Sequence, residues 1–396
     1  MNMFYNFLIF FAVFKFGTID LAISFNQIDL IVAVLPLLFS LGIERVFIFS
    51  SSDRHLDKAF IFLYSLITIS MGGALFVSFF IGFEIIVAVV FAYIYAFSNI
   101  CVAYSQVSNT KDGHFFVVNF IKLVALSVAL LLFNKEVFIF DLDALFVMLI
   151  ITASFIFLIN VKNLNFSSEL FKFIVEYFSR SKYILLMTAI GAIYSNLPRV
   201  YELIIGSEYL SVKFFFWLKL MSYIGALGLV FNYWITKYVI IDKGFKNLYY
   251  SGHFGVLIIS TGLTGINLLN LLTPIDFLED QKIDQIYLIL FSVTILSSFL
   301  RDAYIENILS LQGRFDKRYH AFLIAALTTL LTMLVCYYIG ILSSLTMTVI
   351  FTVGTLLWMI VAIFYAKKEE LEFKFIILWI YLAFFILINF LLMSII

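Results

Sequence analysis

The chain has 396 residues, of which 64% are apolar and only 13% charged, and phenylalanine alone contributes 49. A typical soluble domain is about 25% charged, because a globular surface needs that much polar cover; the composition therefore excludes a soluble enzyme, a disordered chain and a nucleic-acid binder. Lysine plus arginine (25) equals aspartate plus glutamate (25), so no net field draws a polyanionic soluble partner.

A helix crosses the bilayer core with about 20 apolar residues. Runs of that kind recur at 4–24, 28–49, 59–80, 83–105, 115–133, 143–161, 183–206, 212–236, 252–273, 285–309, 319–340, 344–366 and 374–395. Barrel strands would alternate apolar and polar residues, whereas the run Phe375 to Ile388 has neither alternation nor charge. The expected fold is an all-α polytopic membrane protein of 12 transmembrane helices, with a thirteenth as the open alternative, in two six-helix bundles around a central cavity. Residues 1–161 form the first bundle, 162–182 a cytoplasmic amphipathic linker, 183–366 the second bundle and 367–396 an additional hydrophobic helix.

The first span is interrupted by Lys15 and Asp20. It lacks a basic lead and a small-residue cleavage site, so it reads as a retained membrane helix and not a signal peptide. Pro36 and Pro198 fall inside spans, where each is expected to remove a backbone hydrogen bond and kink its helix. In the linker, Leu170, Phe171, Ile174, Val175 and Phe178 recur at helical spacing, as in a helix lying at the cytoplasmic interface. That segment is a covalent linker, or the hinge strut of a rocking transporter built from repeats. Ser222 and Ala226 form a small-xxx-small pair suited to close helix approach. Cys101 and Cys336 lie apart in apolar runs and are expected to be free thiols.

Basic residues orient the chain. With the N-terminus inside, sixteen of them mark the cytoplasmic loops and helix ends, and three (Lys135, Lys213, Lys282) the opposite face. Six remain within spans: Lys15, Arg45, Lys122, Arg199, Lys219 and Arg301. A charge at mid-bilayer costs roughly 2.5–3.5 kcal/mol on insertion scales, so such residues face a bundle interior or a wet cavity. Arg45 is close enough to the inner end of its span to snorkel. Lys122 is about seven residues in, too deep for easy snorkelling. Arg199 lies toward the outer half, and Glu202 three residues on shares its helix face, where a local pair can form. Lys219 precedes Tyr223 by one turn, and Arg301 is followed by Asp302 and Glu306 on a common face. The acids within spans are Asp20, Glu44, Glu202, Asp302 and Glu306. Two readings stand open. The charges pair with one another, or they line a polar cavity for an anionic head group such as a pyrophosphate, with carboxylates carrying coupling protons (H+) or sodium (Na+).

The sequence has no phosphate-binding loop and no HExxH, and its four histidines sit at or near the inside loops. Neither ATP hydrolysis nor a metal or other cofactor is expected, and the chain reads as a transporter and not an enzyme.

Three stretches carry a family resemblance: SLGIERVFIF at 40–49, NLPRVYELIIGSEYLSVKFFFWLKLM at 196–221 and SLQGRFDKRYHAFLIAALTTLL at 310–331. The pattern resembles the Wzx-type O-antigen flippases, the polysaccharide transporters of the MOP exporter superfamily. The resemblance implies translocation of an undecaprenyl-pyrophosphate-linked oligosaccharide repeat unit across a bacterial inner membrane by alternating access. By analogy Arg199, Lys219 and Arg301, with Lys122 and Arg45, are candidates for the substrate cavity, and Glu44, Glu202, Asp302 and Glu306 are candidate coupling or ion-pairing carboxylates. The implied partners are that lipid-linked oligosaccharide, membrane lipids, the O-antigen polymerase and the chain-length regulator; nucleic acid is not among them. The alternatives are an O-antigen polymerase and a drug or lipid exporter of the same superfamily. A polymerase is expected to carry a large outer loop, and the outer loops here stay below about 12 residues on boundaries good to a few residues.

Overall fold

The computed structural model describes residues 2–41, 43, 56–107, 141–164, 167–242, 246–272, 283–302, 309, 314–368, 383–389 and 391. They are nearly all helical, and six stretches among them are long and apolar enough to cross a membrane: Ile19–Ser40, Lys58–Ser78, Phe83–Cys101, Leu142–Asn160, Asp316–Tyr338 and Ser344–Ala366. The chain is a multi-pass membrane protein. Its helices gather into two compact units, Met1–Ser195 and Asn196–Ile396.

The first unit holds α1 (Asn2–Phe16), α2 (Ile19–Val32), α3 (Leu35–Ser40), α4 (Leu56–Ser78), α5 (Phe83–Val107), α6 (Leu142–Asn160) and α7 (Ser168–Tyr194). Helix α5 is the hub, packed against α2, α3, α4 and α6. Its Tyr93 donates to the Tyr64 hydroxyl at 3.5 Å, and Tyr64 reaches the carbonyl of Phe157 on α6 at 3.5 Å. Hydrocarbon offers no partner for a buried hydroxyl, so such contacts bond helices as well as fill space.

The expected span 4–24 is two helices. Thr18 caps α2, its Oγ1 accepting from the Leu21 amide at 3.2 Å, and that cap ends the continuity at the point where Lys15 and Asp20 flank it. The membrane stretch is consequently 19–40, and the span drawn at 28–49 is shifted. Pro36 sits in the first turn of α3 and Pro198 in the first turn of α8 (Leu197–Ile204), not within helices. The first turn has no intrahelical acceptor for its N–H groups, so neither proline removes a helix hydrogen bond. The linker expected at 162–182 is no separate segment: most of it belongs to α7, which continues unbroken to Tyr194. Leu170 is buried, the Phe173 ring lies 5.3 Å from that of Phe62 on α4, and Glu169 pairs with Lys58 at 3.4 Å. Phe171, Val175 and Phe178 form an exposed apolar stripe on the same helix.

The second unit contains α8, α9 (Glu208–Asp242), α10 (Lys246–Leu272), α11 (Gln285–Leu300), α12 (Phe315–Tyr338) and α13 (Ser344–Lys368), with further helical residues at 383–389. Helices α9, α10 and α11 pack on one another, and α13 packs on α11 and α12. Glycine permits the close approach: a Cβ on Gly262 would come within 2.7 Å of Ile224 on α9, and one on Gly255 within 2.9 Å of Phe299 on α11. Thr294 and Thr352 share a hydrogen bond at 3.1 Å between α11 and α13. Apolar side chains such as Leu327, Leu331 and Leu334 stay exposed along α12, a face made for lipid. Cys101 and Cys336 form no disulfide, and only the first is buried.

Candidate functional site

Among the described residues, the buried charges of the second unit lie at two places. The first is the start of α8. Asn196 precedes the new helix, and its Oδ1 accepts from the Arg199 Nη1 at 2.6 Å. The Arg199 guanidinium lies 4.3 Å from the Phe215 ring centre, a cation–π contact. Its backbone carbonyl accepts from the Ser211 hydroxyl at 3.1 Å. Residues 211 and 215 are one turn apart on α9, so that helix grips Arg199 by main chain and side chain together. The Tyr201 hydroxyl donates to the carbonyl of Leu342 at 3.2 Å, tying α8 to the approach to α13. Arg199 is 2% exposed and Glu202 1% exposed.

The expected Arg199–Glu202 pair takes a different form. Arg199 turns to Asn196 and Phe215, and the Glu202 Oε1 is buried without a hydrogen-bond partner. Shared helix face brings the two close in register, but the α9 aromatic surface provides the better seat for a flat guanidinium.

The second place is the end of α11. Arg301 directly follows α11 in helical backbone conformation, which runs on into Asp302. The Arg301 Nε and Nη2 both reach Asp302 Oδ1, at 2.9 and 2.8 Å, and its guanidinium stacks 3.4 Å from the Trp358 ring centre on α13. Arg301 is 6% exposed. For this residue the structure displays the pairing arrangement.

The two places are far apart. Tyr287, near the start of α11, has its ring 5.0 Å from Phe214, the neighbour of the residue that holds Arg199. Arg301 lies at the other end of that helix, roughly 21 Å further on at 1.5 Å per residue. A pyrophosphate bridges no such distance, so the arginines represent two depths and not one binding set. Lys219 is half-buried on α9, one turn beyond Phe215. Arg45, Lys122, Glu44 and Glu306 lie outside the described residues.

One buried acid escaped the sequence reading. Asn26 and Asp29, three apart on α2, are both buried in the first unit. Drawing the second span from residue 28 put Asp29 at a helix end. The Gly17–Thr18 pair followed by an acid was the available signal that a helix starts at residue 19, and it would have placed Asp29 mid-helix. Among the described residues no three His, Cys, Asp or Glu side chains converge as a metal would require.

No protein-family model matches the chain, and no curated protein matches it. Solved structures do. An inward-facing multidrug-resistance MATE family transporter of the MOP superfamily is 14% identical, with a TM-score of 0.50 over 93% of this chain and 94% of that one. A MATE in the straight conformation is 16% identical, with a TM-score of 0.50 over 92% of this chain and 91% of that one. At such identity the likeness shows the fold alone. The chain is a membrane protein, and its fold is similar to that of these MATE transporters.

Proposed function

We propose that the chain flips an undecaprenyl-pyrophosphate-linked O-antigen repeat unit from the inner to the outer leaflet of a bacterial inner membrane by alternating access. The observation that carries the reading is Arg199: a cation 2% exposed on the short helix α8, held by Asn196 and the Phe215 ring. Transporters commonly bind substrate where membrane helices are interrupted. A sugar chain and two phosphates lose their hydrogen bonds in hydrocarbon, so they need a polar route, while the lipid tail stays in the bilayer. Arg199 and half-buried Lys219 are the residues of the second unit best placed to meet the phosphates. Arg301, already bound to Asp302 and Trp358, orients the inner end of α11. The second reading is export of a drug or a free lipid by the same fold, favoured by the multidrug-resistance transporter among its structural neighbours.

Complementation of flippase-null strains with defined repeat units separates the two. Surface glycan is restored by the wild-type chain and lost in R199A at normal membrane levels. Full display in R199A and in the R199A/K219A double variant overturns the site assignment. Failure with every repeat unit, together with raised drug tolerance, moves the chain to the second reading.

A further inference from the structure

We infer that the apolar run after α13 crosses the membrane as the thirteenth span, clamped onto α10 and α11 through Asn389 and Asn267, and carries the chain beyond residue 389 to the outer side. The inference concerns how the second unit is built and does not rest on what the chain transports.

Two levels fix the crossing. In the orientation given by the basic loops, α13 ends at the inner face with Lys368. Lys317, near the start of α12, marks the same level: its Nζ lies 5.4 Å from the ring centre of Tyr365 in the last turn of α13. Asn267 lies at the opposite level. It follows Lys246, the first residue of α10, by 21 residues. That is about 31 Å of helix, against a hydrocarbon core of about 30 Å. The Asn267 carbonyl accepts from the side chain of Gln285 at 3.3 Å, and Gln285 is the first residue of α11, which runs back toward the inner face. Asn389 is bonded to Asn267 at 2.7 Å and therefore shares the outer level. Lys368 and Asn389 thus stand on opposite sides of the core. Their separation is also 21 residues, which as helix covers the same roughly 31 Å.

The clamp is polar, and hydrocarbon gives it no other partner. An amide turned to lipid would forfeit its hydrogen bonds. Here the Asn389 amide donates to the Phe385 carbonyl at 2.9 Å, while its Oδ1 accepts from Asn267. Asn267 in turn accepts at Oδ1 from Ser292 on α11 at 3.3 Å. One knot of side chains therefore ties three helical segments together. The knot also sets the rotation of the last one. Phe385, a turn before Asn389 on the same face, is buried, whereas Phe384, Leu387 and Leu391 are at least half exposed. Rotation by one residue, about 100°, would carry Asn389 toward the lipid. A lone polar side chain at a helix contact specifies partner and register. A run that only anchored the chain in the bilayer would need no such residue. The C-terminal helix is thus a fixed wall of the second unit, moving with α10 and α11 in any transport cycle.

The test uses the full chain in sealed right-side-out membrane vesicles. A short tag appended after Ile396, with the chain otherwise unaltered, is expected to be cleaved by an added protease without opening the membrane. In a C101A/C336A background, N267C/N389C is expected to oxidise to a disulfide within one chain, read by mass spectrometry of the linked peptides. The yield should exceed severalfold that of N267C/L391C, whose second cysteine stands on the exposed face. A tag cleaved only after the vesicles are opened overturns the crossing. No link in N267C/N389C, or equal yields from the two pairs, overturns the clamp. The tag is read on unaltered residues, so it decides the crossing even where a cysteine variant fails to accumulate. Neither readout involves cargo, so failed glycan complementation rejects the flippase and leaves this helix in place.

Discussion

The Asn267 side-chain amide donates to the Asn389 side-chain oxygen at 2.7 Å, joining residues 122 apart in the chain. Both are buried, at 1% and 2% exposure. The Ser292 hydroxyl donates to Asn267 Oδ1 at 3.3 Å, and the Asn389 amide donates to the Phe385 carbonyl at 2.9 Å. The apolar run near the C-terminus is thus hydrogen-bonded to α10 and linked through Ser292 to α11. Amide pairs between membrane helices are worth about 1 kcal/mol. N267L and N389L should each lower the melting temperature in detergent, because each strands the other amide. The N267L/N389L double variant should melt above the sum of the single losses, a coupling of about 1 kcal/mol in a double-mutant cycle. Additive losses would mean that the two amides do not bond.

Arg301 and Asp302 are unequally buried, with side chains 7% and 43% exposed. Removing the deeper partner should therefore be worse. R301Q loses the ion pair and the Trp358 stack, and should cost about 3 kcal/mol, the low end for a broken buried pair. D302N keeps the guanidinium stacked on Trp358, with an amide oxygen in place of the carboxylate still able to accept, and should cost about 1 kcal/mol. Thermal melting of the two variants checks the order, and W358L should fall between them.

Pro198 tests the difference between a kink and a helix start. A proline inside a helix opposes it by about 3 kcal/mol, so replacing it with alanine would stabilise the helix strongly. At the first turn no hydrogen bond is at stake. P198A should stay within about 0.5 kcal/mol of wild type in stability. A large gain in melting temperature would place Pro198 in a helix interior.

An exposed ion pair and a ring contact join α7 to α4. The Lys58 and Glu169 side chains are 64% and 62% exposed, so K58A should change stability by less than about 1 kcal/mol, and less still at high salt. The Phe62–Phe173 pair is worth about 1 kcal/mol beyond its buried area. F173A should therefore destabilise more than K58A, and a melt of both in high salt should widen the gap.

The sequence alone determined the class of protein and much of its register. Counts of apolar and charged residues need no fold to be read, because a bilayer imposes a fixed helix length and a side preference for basic residues. The expected spans at 59–80, 83–105, 143–161, 319–340 and 344–366 match observed helices to within a few residues. The first two spans did not, because a single threonine cap divides an apolar run that composition treats as continuous. What tertiary structure decided is which charges are already satisfied. Arg301 looked like a cavity cation until Trp358, from a helix two elements later, was seen stacked on it. Glu202 looked paired with Arg199 until the aromatic face of α9 took the guanidinium away. Ion pairing depends on partners brought from elsewhere in the chain, whereas helix spacing reports only neighbours within a turn or two. The sequence could therefore name the ionisable residues within the membrane, and only the packed structure could separate Arg301, which is committed to structure, from Glu202, which is left without a partner.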